Sequence, residues 1–133
     1  MEIHFKIIGI LLITLALLHF YFPKYFSWKQ ELGKLTLINR QIMYVHSFFI
    51  AFAVFLVGLL CLTSASELIG TPLGKRISLG IGIFWGARLI IQFFGYSSKL
   101  WKGKRFETTV HIVLALFWTY LTIIFVMPYL YRT

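Results

Sequence analysis

Four long runs of apolar residues, separated by polar stretches, dominate the chain. They cover about residues 3–22, 42–63, 77–96 and 110–129, and each is close to the ~20 residues that a helix needs to cross about 30 Å of hydrocarbon. The runs lack the polar alternation of a membrane β-strand, and backbone polar groups inside a bilayer have to be satisfied within the segment. The pattern therefore predicts an all-α integral membrane protein with four transmembrane helices.

The connections between these runs leave no room for a separate soluble domain. The longest lies at residues 23–41, where aromatic and apolar residues alternate irregularly with Lys29, Lys34 and Arg40, a composition that suits a segment lying in the headgroup layer. The connection at 64–76 contains Gly70, Pro72 and Gly74, which predict a polar turn. We therefore expect residues 1–133 to form one four-helix bundle with short loops and one interfacial loop at 23–41.

The first run also has features of a secretory signal peptide, because Lys6 lies beside an apolar core. The core of a signal peptide is shorter, about 7–15 residues, and ends at a cleavage site with small side chains. This run instead ends in the bulky sequence His-Phe-Tyr-Phe-Pro at residues 19–23. We expect it to remain as the first transmembrane helix.

Composition and charge support a membrane protein whose partners are lipids. The chain is 59% hydrophobic and 13% charged with a mean hydropathy of +0.84, whereas soluble domains are about half apolar and a quarter charged. Its net charge is +9, but the basic residues lie within a turn or two of the predicted span ends. The charge therefore predicts contact with the bilayer and its anionic headgroups and no nucleic-acid partner.

The distribution of lysine and arginine predicts the orientation. Eight of these residues lie in the loops after the first and third runs and four on the opposite side, although Lys75 and Arg76 beside the third run oppose the trend. Because positive loops stay in the cytoplasm, we expect loops 23–41 and 97–109 to be cytoplasmic and both termini to lie outside, in a bacterial inner (plasma) membrane.

Three histidines lie at similar depth in three different runs. His19, His46 and His111 each sit roughly 5–8 Å inside the same end of their segment, at about 1.5 Å per residue. Ionisable side chains inside a membrane are costly and therefore mark candidate functional sites. Neighbours at helical spacing favour an inward position: Gly9, Leu12 and Ala16 for His19; Met43, Ile50, Ala53 and Val57 for His46; Ala115, Trp118 and Thr122 for His111.

The three imidazoles suggest a metal or haem site. Three histidines with an open position suit zinc, copper or iron. Two of them could instead be the axial ligands of one haem, and Met43, one turn before His46, offers a softer ligand. The alternative for each histidine is a ring that is wetted by headgroups or bonded to a backbone carbonyl. Cys61 lies at the far end of its segment, and we exclude it from the site.

Arg88 and Gln92 give the third run its polar residues. They are four positions apart and share a helical face with Trp85 and Gly95. An arginine at the centre of a span costs about 2.5–3.5 kcal/mol on insertion scales. A structural arginine would offset this cost by bonding to carbonyls and Gln92, whereas a functional one would bind an anionic substrate, a haem propionate, a quinone oxygen or a lipid phosphate.

Two further features belong to the predicted helices. Glu107 precedes His111 by four residues, so its carboxylate is a candidate second-shell partner of that imidazole, or else a favourable charge at the start of the fourth helix. Gly82 and Gly86 have the spacing that lets another helix approach closely, which favours a role in packing.

Three classes of function follow from these features. We favour metal or haem binding for redox or metal-assisted chemistry on a membrane-soluble substrate, without deciding whether the protein is an enzyme. The first alternative is a non-catalytic accessory subunit or assembly factor in a larger membrane complex. The second is proton or small-solute transport through imidazoles that titrate near neutral pH, for which a pore between copies of a homo-oligomer would be needed.

Overall fold

The protein is described by a computed structural model covering residues 2–95, 103 and 105–130, and within these residues all regular structure is helical. Four of the helices are long and apolar enough to cross a membrane, which confirms the predicted helical class and number of candidate spans. The α-helices are α1 (Glu2–His19), α2 (Phe22–Tyr25), α3 (Trp28–Glu31), α4 (Leu37–Thr63), α5 (Ala65–Gly70), α6 (Pro72–Phe94) and α7 (Arg105–Leu130), with a 3-10 turn at Leu32–Lys34.

The chain divides into two compact units, Glu2–Ala65 and the residues from Ser66 onward. The first unit is a hairpin in which α1 packs against α4, and the second is a hairpin in which α6 packs against α7. Each hairpin has its own buried face. The arrangement of all four long helices in a single bundle stays a prediction.

Two glycines set the distance between the helices of the first hairpin. A Cβ atom on Gly9 would lie 2.7 Å from the carbonyl oxygen of Gly58, and one on Gly58 would lie 2.9 Å from that of Gly9. Phe5, Ile8 and Leu12 fill the same face of α1 and are fully buried. The backbones of α1 and α4 can approach this closely only because neither position carries a side chain, as is common for helix pairs in membranes.

The second hairpin also depends on small residues. A Cβ atom on Gly82 would lie 2.7 Å from Cγ2 of Val126, whereas one on Gly86 would make an ordinary contact of 3.5 Å with Thr122. The sequence prediction that this spacing lets another helix approach closely is confirmed for Gly82 and not for Gly86. The tightest point of the contact is Gly82.

A hydroxyl group links α6 to α7 near a proline. Ser78 is fully buried, and its Oγ donates a hydrogen bond to the backbone carbonyl of Phe125. Pro128 lies inside α7, and because proline has no N–H group it cannot supply the usual intrahelical bond to the carbonyl four residues earlier. The carbonyl that loses this bond is that of Ile124, and Ser78 donates to the next carbonyl along α7, in the same turn.

The ends of the first two spans differ from the prediction. Helix α1 ends at His19 and not at residue 22, because Phe20 and Tyr21 donate to carbonyls three residues back and Pro23 opens the separate helix α2. Proline is favoured in a first helical turn, where its missing N–H is not needed. Helix α4 begins at Leu37, five residues before the predicted start at 42.

The predicted polar turn at 64–76 is wrong for most of its length. Residues 65–70 form α5, and α6 already begins at Pro72. Thr71 caps α6 by accepting a hydrogen bond of 2.9 Å from the amide of Gly74. A Cβ atom on Gly74 would lie 2.0 Å from the carbonyl oxygen of Glu67. Here Pro72 and Gly74 do not break a helix; they allow α6 to start directly against α5.

The segment predicted as an interfacial loop at 23–41 is helical over much of its length, with Ser27 in the left-handed region at φ 54° between α2 and α3. Its placement in a headgroup layer stays a prediction. The predicted end of the third span at residue 96 and positions 97–102 and 104 of the predicted loop at 97–109 lie outside the described residues. Positions 105–109 of that loop belong to α7.

Candidate functional site

A chain of hydrogen bonds joins three of the predicted site residues within the second hairpin. Nη1 of Arg88 donates to Oε1 of Gln92 at 3.1 Å, and Nε2 of Gln92 lies 2.8 Å from Nδ1 of His111. Arg88 and Gln92 are on α6 and His111 is on α7, so the second bond crosses between the helices. Gln92 is only 5% exposed, and its two neighbours are half-buried.

Two tryptophans form the wall behind these polar groups. The rings of Trp85 and Trp118 are stacked with centroids 5.0 Å apart and planes at 7°. The guanidinium carbon of Arg88 lies 5.0 Å from the centroid of Trp118, and Nε1 of Trp118 donates a long hydrogen bond of 3.4 Å to Oε1 of Gln92. We refer to Trp85, Arg88, Gln92, His111 and Trp118 as the hairpin cluster.

These contacts explain how an arginine is tolerated in the middle of an apolar helix. Placing its charge there costs about 2.5–3.5 kcal/mol on insertion scales. A cation–π contact that is shielded from water contributes about 2 kcal/mol, and a hydrogen bond to a charged group about 1.5–3 kcal/mol. The contacts of Arg88 with Trp118 and Gln92 are therefore of the size needed to offset the cost.

The donors around Gln92 fix the orientation of its amide. Arginine and tryptophan side chains donate hydrogen bonds and cannot accept them, so the amide atom that faces Arg88 and Trp118 must be the oxygen. The nitrogen of the amide then faces His111 and can only donate. Nδ1 of His111 must therefore be an unprotonated acceptor, and in the neutral ring the proton sits on Nε2.

The other two histidines lie in the first hairpin. Nδ1 of His19 donates to the carbonyl of Leu15 at 2.8 Å, as in the alternative of a histidine bonded to its own backbone. His46 and Met43 are exposed, and they lie off the α4 face that packs against α1, which consists of Ala51, Val54, Gly58 and Cys61.

A metal site built on the three histidines is not supported. Among residues 2–95, 103 and 105–130, no group of three or more His, Cys, Asp or Glu side chains could hold a metal ion. In addition, His111 uses its Nδ1 to accept from Gln92, which leaves the proton on the nitrogen that a metal would need.

Glu107 lies in the first turn of α7 and is exposed. This position fits the interpretation in which its carboxylate interacts with the positive end of the helix dipole. Its role as a second-shell partner of His111 stays a prediction.

Trp85 and Trp118 were predicted to share helical faces with the candidate residues but were not themselves predicted as site residues. Trp85, Arg88 and Gln92 follow one another at spacings of three and four, and Trp118 follows His111 by seven residues. These spacings place each tryptophan on the same helical face as its polar neighbours. The spacing was therefore a usable signal, but the ring stack depends on how α6 and α7 pair.

Comparisons of the chain with models of known protein families, with curated proteins and with solved structures gave no match.

Proposed function

We propose that this chain is a small membrane protein that binds the polar group of a membrane-soluble molecule at the hairpin cluster. The observation that carries the proposal is the hydrogen-bonded series from Arg88 through Gln92 to His111 in two helices that are apolar enough to cross a membrane. Charged and polar side chains inside spans are expensive, and they commonly mark the paths or sites of substrates and ions.

The chemistry of the cluster suits such a ligand. A guanidinium group presents five N–H donors in a planar fork that matches carboxylate and phosphate groups. The stacked rings of Trp85 and Trp118 offer a broad apolar surface beside that fork, and aromatic rings are common in ligand sites of this kind. One end of the site therefore suits a polar group and the other suits a hydrocarbon or ring system.

The ligand class includes the cofactor predicted from the sequence. A haem propionate or a quinone oxygen could be held by Arg88 without ligation of a metal by three imidazoles. A redox role on a membrane-soluble substrate therefore remains part of the proposal, now with the hairpin cluster as the binding element.

The membrane placement belongs to the same proposal. The four long helices would cross a bacterial plasma membrane as one bundle, with residues 23–41 and 97–109 in the cytoplasm and both termini outside. Basic residues near the cytoplasmic ends would contact anionic headgroups. A reporter enzyme fused after residue 133 tests this orientation, because a periplasmic reporter will be active only if the terminus lies outside.

Tryptophan fluorescence tests the binding proposal directly. Bromine atoms quench the fluorescence of nearby indole rings. The protein is purified in a mild maltoside detergent and titrated with three amphiphiles that share one dibrominated acyl chain. Their polar groups are a carboxylate, a phosphate monoester and a methyl ester. We expect saturable quenching by at least one of them. A variant in which Trp28 and Trp101 are replaced by phenylalanine restricts the signal to the two tryptophans of the cluster.

The matched control distinguishes binding at the cluster from partition into the detergent micelle. Arg88→Gln removes the charge inside α6, whereas Arg76→Gln removes an exposed charge at the start of the same helix. The proposal requires that saturation weakens in the first variant and persists in the second. Quenching that rises linearly for all three probes, or that is equal in the two variants, contradicts it.

A further inference from the structure

Each hydrogen bond that the side chain of Gln92 makes has a defined donor and acceptor. Its oxygen accepts from Arg88 and Trp118, and its nitrogen donates to Nδ1 of His111. The acceptors of the cluster are therefore used inside it. The groups at its edge, namely the guanidinium of Arg88 and Nε2–H of His111, are donors.

Trp85 adds another donor to the same place. It is 4% exposed, it stacks on Trp118, and its Nε1 is buried without a hydrogen-bond partner among the described residues. Buried N–H groups are nearly always paired, because an unsatisfied one has a desolvation cost that no hydrogen bond offsets. A ligand atom that accepts a hydrogen bond would remove this cost, whereas a cation or a donor group would not.

We infer that the hairpin cluster recognises an anionic acceptor group, a carboxylate or a phosphate, on a membrane-soluble molecule, and that Gln92 is the positioning residue that directs the donors of Arg88 and His111 toward it. This inference rests on the proposed function and narrows its ligand class. The cluster contains the positive charge of Arg88, which favours an anionic acceptor over a neutral one. A metal cation meets neither requirement.

The positioning role of Gln92 follows from what its amide can do and a carboxylate cannot. An amide presents an acceptor and a donor at once, so it can receive from Arg88 and donate to His111. A glutamate at position 92 would accept from both sides and would itself neutralise the arginine. It would then require a proton on Nδ1 of His111, and the ring would no longer be held with its N–H on Nε2.

The three probes of the fluorescence titration separate charge from hydrogen-bond acceptance. The methyl ester accepts hydrogen bonds but has no charge, whereas the carboxylate and the phosphate have both. We expect the two anions to bind at least about tenfold more tightly than the ester, a difference equivalent to about 1.4 kcal/mol. Arg88→Gln should remove this preference, and Arg88→Lys, which keeps the charge but not the fork, should retain part of it.

Nitrogen NMR on protein with isotope-labelled histidine tests the role of Gln92, because it reports which ring nitrogen of His111 carries the proton. A general loss of stability does not move that proton. With His111→Gln used to assign the resonance, the wild-type ring should be the Nε2–H tautomer, and Gln92→Glu should shift the proton to Nδ1. In the same variant the preference for anionic probes should fall at least about tenfold, because the new carboxylate occupies the place of the ligand charge. Trp85→Phe, which keeps an aromatic ring at this position and removes Nε1–H, should weaken anion binding without changing the tautomer.

The outcomes distinguish this inference from the proposed function. If all three probes saturate with equal affinity and the binding still depends on Arg88, the cluster binds ligands but the anionic class is wrong. If no probe saturates, both proposals fail. A wild-type His111 with its proton on Nδ1 overturns the role assigned to Gln92, whatever the binding data show.

Discussion

Nε2 of Gln92 lies 2.8 Å from Nδ1 of His111, and this bond joins the last turns of α6 to the beginning of α7. The two residues are 19 positions apart in the chain, so their contact depends on the pairing of the two helices. It also determines what each can do, because the amide of Gln92 is held on its other side by Arg88 and Trp118.

Gln92→Leu should destabilise the second hairpin. Leucine has a similar volume but removes the hydrogen bonds that Gln92 makes with Arg88 and His111, and the loss of such a partner costs a buried group about 1–3 kcal/mol. The double variant Arg88→Met/Gln92→Leu removes the charge together with its partner, and it should therefore be more stable than the single variant. Thermal unfolding in detergent, followed by circular dichroism, measures both. A single variant as stable as the wild type would show that the bonds of Gln92 add nothing.

Metal analysis and absorption spectra separate the hairpin cluster from a three-histidine metal centre. We expect the wild type and the variant with alanine at positions 19, 46 and 111 to contain the same amounts of zinc, copper and iron. The physical reason is that His111 faces Gln92 with an acceptor nitrogen and His19 donates to Leu15. One metal per chain, or a Soret band, that disappears in the triple variant would restore the metal interpretation.

Gly58→Ala should destabilise the first hairpin, because the added methyl group would meet the backbone of α1 at Gly9. Overpacking at such a contact costs about 1–3 kcal/mol. Gly80→Ala is the matched control, since a Cβ atom there meets nothing within 4 Å and alanine favours a helix by up to about 1 kcal/mol. The melting temperature should fall in the first variant and stay level or rise in the second. The opposite order would mean that the glycine contact does not set the helix spacing.

Ser78→Ala should lower stability by about 1 kcal/mol, the usual net contribution of one hydrogen bond. The loss would come from the carbonyl of Phe125, which lies in the turn weakened by Pro128. Thr14→Ala serves as the control, because Thr14 is exposed and its hydroxyl bonds to Ile10 in its own helix. Equal unfolding midpoints for the two variants would argue against a link between α6 and α7 at this position.

The helical class was predictable because it depends on composition and length alone. Four apolar runs of about 20 residues leave few alternatives in a membrane. The helix ends were harder, because they depend on single residues in local context. Pro23 ends one span early, whereas Pro72 starts α6 earlier than predicted, and the same residue type gives both results because proline fits the first turn of a helix.

The candidate site was only partly predictable for a different reason. Arg88 and Gln92 are four residues apart on one helix, so their bond follows from helical geometry. The pairing of Gln92 with His111 and the stacking of Trp85 on Trp118 depend on the register of two helices, which the sequence does not specify by itself. Equal depth in the membrane suggested that three histidines would meet, but depth does not determine the direction in which each ring points or the partner it takes.

Photo-crosslinking tests the central claim, ligand binding at the hairpin cluster, most directly. A fatty acid with a diazirine close to its carboxylate is added to the purified protein, irradiated, and the labelled peptides are identified by mass spectrometry. We expect α6 and α7 to be labelled near residues 85–92 and 111–118, and excess unlabelled oleate to compete. Arg88→Gln should lose the label and Arg76→Gln should keep it. Labelling confined to α1 and α4, or labelling at the cluster that is unchanged by Arg88→Gln and by oleate, would contradict it.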